Sequence, residues 1–130
     1  MAQLENIKNF IEIKRKYSKI YKNKLEKYSI IEFQKEYKDA ASIHWLTCIG
    51  IKDDKMRGKL LINLQKEEIP YRKLFMPLCE MPYLKKYSKK CPVAYDVYKK
   101  GICLPGSTLN TEDQITDVAA KIESAINNEG

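Results

Sequence analysis

Apolar positions in the first 25 residues recur at helical spacing. Leu4, Ile7, Ile11, Tyr21 and Leu25 share one broad face, flanked by Phe10, Tyr17 and Ile20, with no Gly or Pro in the run. This predicts one long helix within residues 1–27. Its far side carries Lys14, Arg15, Lys16, Lys19 and Lys22, read as a solvated face. Residues 29–39 lack a clean period and are expected to be irregular or a short helix. Ile43 to Ile51 (IHWLTCIGI) is the strongest strand candidate, ended by Lys52-Asp53-Asp54. Asp53 then suits the N-cap of a helix to about Glu67, with Met56, Leu60, Leu61 and Leu64 inward.

Three prolines, Pro70, Pro77 and Pro82, break residues 69–83 into an apolar, stiffened loop that cannot be a regular helix or a central strand. Pro92 suits the first turn of a short helix through Tyr98, and Gly101 the C′ position that ends it. Ile102 to Pro105 reads as a short strand. Thr111 and Gln114 form a capping box opening a last helix, with Ile115, Val118, Ala119, Ile122 and Ile126 inward. The expected fold is therefore α/β (an α+β small domain) in one domain over residues 1–130. A long helix at 1–27 leads a sheet with packed helices at 43–130.

Composition narrows the function classes. The 130 residues have 44% hydrophobic and 32% charged content, globular values. A compact chain of 15.2 kDa exposes roughly 7,100 Å² against roughly 22,000 Å² unfolded, so about two-thirds of its surface should be buried. No run approaches the ~20 apolar residues of a membrane span, and the first six residues carry no secretory signal pattern. A cytoplasmic location is expected, with no membrane partner. The net charge of +7 invites polyanions, but the lysines are interleaved with Glu along the chain. Cys48, Cys79, Cys91 and Cys103 never form a C-x-x-C pair and His44 is the lone histidine, so no metal site is expected and the thiols read as mostly buried. Nucleophile-elbow, P-loop, zincin and dinucleotide motifs are all absent.

The order of the pieces carries more. Ala2-Gln3-Leu4-Glu5 leads a helix containing Lys14-Arg15, followed by IHWLTCI and then Ile69-Pro70-Tyr71-Arg72-Lys73-Leu74-Phe75-Met76-Pro77. Pro82, Ala94, Gly101, Leu104-Pro105 and Leu109-Asn110-Thr111-Glu112-Asp113-Gln114 complete the series. Over essentially all 130 residues, this succession resembles the C-terminal domain of the DegT/StrS-type sugar-nucleotide aminotransferases, which depend on pyridoxal phosphate (PLP). The resemblance implies the small domain of fold-type I aminotransferases, a short, largely antiparallel sheet with helices on it. For the intact enzyme it implies amino transfer from glutamate to a keto-sugar nucleotide, in amino-sugar and surface polysaccharide biosynthesis, by a homodimer. The lysine that binds PLP, the pyridine-nitrogen partner and the phosphate cradle belong to the family's large domain, which would precede Met1. The chain is thus expected to bind no cofactor and catalyse nothing by itself, needing that large domain in cis or trans.

The resemblance also implies a modest site. Arg72 matches an arginine near the substrate, and a guanidinium suits a diphosphate. Phe75 and Pro77 would wall that pocket, although core packing suits Phe75 better. His44 and Trp45 match positions where the family has aromatic or histidine residues; on a strand, one would face the cleft and the other the core. Many members carry histidine where this chain has Cys79, and a thiol cannot replace imidazole as a proton carrier near neutral pH. Gly106-Ser107 is read as a structural turn. A reading from a different class is a small basic module for nucleic acid or another polyanion, using Lys14, Arg15, Lys85, Lys86, Lys89 and Lys90. It lacks a reader motif and aromatics spaced for base stacking.

Overall fold

Strands β1 (Ile31–Phe33), β2 (Thr47–Ile51), β3 (Arg72–Lys73) and β4 (Gly101–Leu104) form one sheet in the order β1-β2-β4-β3, every neighbour antiparallel. The computed structural model describes residues 2–87 and 89–128. Alternation on β2 sends Thr47, Ile49 and Ile51 to one face and Cys48 and Gly50 to the other. Ile102 pairs with Ile49 and Leu104 with Thr47, so β4 adds to the same apolar face. Helices α2 (Ile7–Leu25), α3 (Asp54–Lys66) and α5 (Glu112–Asn127) cover that face, α5 packing on both of the others. Their buried stripes, Tyr17, Tyr21 and Leu25 with Leu60, Leu64, Ile115, Ala119, Ile122 and Ile126, close one core with the sheet. The mixed helix and antiparallel-sheet domain expected from the sequence is present.

Local signals hold where a cap and a period agree. Asp53 Oδ1 accepts from Met56 N at 2.5 Å to start α3. At α5 the capping box closes in both directions, Gln114 N to Thr111 Oγ1 at 3.2 Å and Thr111 N to Gln114 Oε1 at 2.9 Å.

Four expectations change. The N-terminal helix is interrupted at Asn6, leaving α1 (Ala2–Glu5) before α2, and Leu4 and Ile7 are exposed rather than inward. Residues 29–39 contain the edge strand β1, whose Ile31 is buried. The candidate strand at 43–51 is extended only from Thr47. Pro105 has no N–H to lengthen the ladder beyond the Thr47–Leu104 pair, and His44 turns into the left-handed region at φ 45°. Helix α4 (Pro92–Lys100) ends at Gly101 as expected, but Gly101 is extended, with φ −87°. Its role is close approach: a Cβ there would lie 1.9 Å from Leu74 Cδ1 and 2.8 Å from the Val97 carbonyl oxygen.

Charge also ties the helices together. The Glu123 carboxylate of α5 meets Lys24 Nζ at 2.8 Å and Lys27 Nζ at 2.5 Å. Hydrogen bonds from these ammonium groups hold its pKa near 2, against an ordinary 4.5. Because the folded value is depressed, the stabilisation is full above the unfolded value and is lost as pH falls through the folded one. Thermal melts of wild type and Glu123→Gln should therefore differ at pH 6 and converge as pH drops from about 5 towards 2. A gap that stays constant with pH would show that the ion pairs do not supply it.

Candidate functional site

Helix α2 organises the loops at one end of the sheet. Tyr21 Oη donates to the Pro105 carbonyl at 2.9 Å, and Tyr17 Oη donates to the Asn110 carbonyl. Burial pushes the Tyr21 phenol upward, so it remains a donor. Lys14 Nζ donates to the carbonyls of Trp45 at 3.0 Å and Gly106 at 2.5 Å, and Arg15 Nε to that of Ser42 at 3.0 Å. Lys16 pairs with Glu112. The basic side of the helix, read as solvated, thus clamps residues 42–45 and the turn after β4. The sequence signal was available only as a lysine run, which does not say what it reaches.

The predicted site residues split into two places. Trp45 and Phe75 meet as stacked rings, centroids 6.5 Å apart and 13° between planes. Both are open to solvent, at 64% and 73% exposure, so Phe75 is not the core residue it was also read as; Pro77 is buried in its stead. Arg72 stands three residues before Phe75 on the exposed edge strand β3, opposite Cys103. His44 is elsewhere. Since residues 43–46 are not strand, His44 and Trp45 are divided by a turn and not by strand alternation.

His44 borders a groove of about 850 Å³ between α2, β1 and the 34–46 segment, with Arg15, Ser18, Glu32, Leu46 and Cys48. Its Nδ1 lies 3.2 Å from the buried Ser18 Oγ. Among the described residues no carboxylate hydrogen-bonds the ring, so a serine-nucleophile relay lacks its orienting group. Cys79, at the position noted for histidine, lies half-buried in a 3₁₀ turn (Leu78–Glu80). Only Cys103 of the four thiols is buried, which corrects the expectation of mostly buried cysteines. The basic-module reading loses two of its six cations to backbone carbonyls, Lys14 and Arg15, and Lys86 leans on the Tyr87 ring at 4.9 Å.

Pyridoxal phosphate sets two requirements on a site. Such a site needs an amine that can lose its proton and an electropositive cradle for phosphate. Lys14 is the one described lysine that burial shifts downward, and its ammonium is already held by two carbonyls. The two helix N-termini with side-chain caps carry Asp53-Asp54 and Thr111-Glu112-Asp113, whose charge opposes a phosphate.

Several large apolar groups are uncovered. Besides Trp45 and Phe75, Leu78, Tyr83, Tyr87 and Val93 are each at least two-thirds exposed, and α4 buries none of its residues. The chain exposes 9611 Å², well above the roughly 7,100 Å² of a compact monomer of its mass. The burial of two-thirds expected from length is not reached. No described helix is long and apolar enough to cross a membrane.

Comparison with known proteins agrees with the fold and the motif order. A GDP-perosamine synthase from Escherichia coli O157:H7 is 32% identical over 123 residues, covering 94% of this chain and 33% of its own length. Among solved structures, the aminotransferase TlmJ from Streptoalloteichus hindustanus superposes with a TM-score of 0.85 at 14% identity, over 99% of this chain and 35% of that one. The Streptococcus pneumoniae protein Spr1654, solved in its PLP form, gives a TM-score of 0.80 at 16% identity, over 98% of this chain and 34% of that one. The chain spans about a third of the length of the curated relatives it matches. The profile of the DegT/DnrJ/EryC1/StrS aminotransferase family matches residues 1–123, and the chain belongs to that family.

Proposed function

We propose that this chain is the small C-terminal domain of a PLP-dependent sugar aminotransferase. The enzyme would move an amino group from glutamate to a keto-sugar nucleotide, for amino-sugar and surface polysaccharide synthesis in the cytoplasm. The carrying observation is a family match over nearly the whole chain that spans only about a third of the relatives. The uncovered apolar groups support the same reading, and the total surface excess of roughly 2,500 Å² over a compact monomer is of the size a domain or subunit contact removes. Here the large domain and a second protomer are the partners in that contact. GDP is the nucleotide most in keeping with the named relatives. Arg72 would grip the diphosphate and the Trp45–Phe75 pair would wall the pocket, while His44 would serve from the adjoining groove.

The chain should not transaminate alone. Purified and given PLP, glutamate and a GDP-linked keto-sugar, it should release no 2-oxoglutarate. Release should begin when the family's large domain is supplied, fused ahead of Met1 or as a separate chain. A turnover by the 130 residues alone would remove the domain reading. Silence of the fused protein with every keto-sugar nucleotide tried would remove the substrate class.

A further inference from the structure

Cys48 and Cys103 are directly opposite each other on the central strands β2 and β4. Both point away from the helix-covered face, and their Sγ atoms are 3.4 Å apart. Directly opposed residues of an antiparallel pair have Cα atoms about 4.5–5.5 Å apart, inside the roughly 4.4–6.8 Å that a disulfide spans. Closure therefore needs side-chain rotation and little backbone movement. Access is one-sided: Cys103 is 5% exposed, whereas Cys48 is half-buried and lines the groove with His44 and Leu46.

We propose that Cys48 and Cys103 are a dithiol modification site that takes a small disulfide, such as oxidised glutathione, and closes to a cross-strand disulfide. Cys48, reached through the groove, attacks first. Its sulfur bonds to one glutathione sulfur, the glutathione S–S bond breaks, and one glutathione leaves as a thiol with the proton. Cys103 then attacks the Cys48 sulfur of the mixed disulfide and expels the second glutathione as a thiol. The protein dithiol is oxidised by two electrons and one glutathione disulfide is reduced to two thiols. Burial beside a second thiol raises the Cys48 pKa, so the attacking thiolate is scarce and the first exchange is slow. Once closed, the bridge fixes the central strands to each other, with Arg72 opposite Cys103 on the next strand.

The test is to incubate the reduced polypeptide natively with oxidised glutathione, quench with acid, block free thiols in urea, digest, and map the linkages by mass. Four cysteines allow six pairs. The 48–103 bridge should exceed every other pair at least tenfold, with exposed Cys91 carrying a glutathione adduct. The same reaction run in urea should spread over many pairs. Cys103→Ser should trap glutathione on Cys48, and Cys103→Ala serves if the serine variant does not fold. Cys48 and Cys103 both free after Cys91 has reacted, or the same scrambled pairs in native buffer as in urea, would overturn the proposal. A trapping variant with no adduct on Cys48 would overturn the order of attack.

Discussion

Ile122→Ala should cost about 3–4 kcal/mol of unfolding free energy, in the middle of the range for buried large-to-small changes. Ile122 is fully buried in the middle of α5 and shares one cluster with Tyr21, Leu25, Ile49 and Leu64. Those cluster members come from α2, α3 and the sheet, three separately anchored elements. The space left by the lost carbons cannot be closed by moving one helix without opening a gap elsewhere, so the cavity penalty adds to the lost transfer energy. Natural domains hold only about 5–15 kcal/mol in reserve, and a chain that leaves so much apolar surface uncovered belongs near the lower end. Urea unfolding should show a fall in midpoint with an unchanged slope. The control is Ile62→Ala on the exposed side of α3, 55% exposed, which should change stability by no more than about 0.5 kcal/mol. Equal losses at the two positions would show that α5 is not the keystone of this core.

The sequence exposed this core well and the candidate site poorly, for physical reasons. Helices α3 and α5 were legible because a side-chain cap and a 3.6-residue period coincide, and both are local. Strand β1 was not, since three residues are too few to display a period and its register with β2, Ile31 opposite Ile51, is a non-local pairing. Leu4 and Ile7 lie on the periodic stripe of the first helix, but a stripe does not say whether this chain supplies the surface that covers it. The left-handed turn at His44 follows Ser42, whose backbone is held by Arg15 from helix α2 and by Glu36, contacts with no sequence period. The Trp45–Phe75 stack joins residues thirty apart in the same way. Motif order named the family where these local rules were silent.

Arg72→Ala in the full-length enzyme should raise KM for the sugar nucleotide about 10–100-fold and leave kcat within about twofold. Among the described residues the Arg72 side chain has no hydrogen-bond or ion-pair partner, and its strand is exposed at the sheet edge, so its removal should not disturb the fold. An uncommitted guanidinium is the chemically suitable group for a diphosphate, because its planar fork makes two charge-assisted bonds at once. Hydrogen bonds to a charged group contribute about 1.5–3 kcal/mol, and 1.4 kcal/mol is tenfold in affinity, which sets the expected range. The diphosphate is remote from the carbon that receives the amino group, so the contact should hold ground state and transition state alike and appear in KM. Arg72→Lys should recover part of the loss, since an ammonium keeps the charge but not the fork. Phe75→Ala, which unpairs Trp45, gives a companion readout: it should raise KM more for the intact sugar nucleotide than for a sugar phosphate without the base. An Arg72→Ala enzyme with unchanged KM would return Arg72 to the status of a surface residue, while wild-type turnover in the same assay would leave the aminotransferase reading intact.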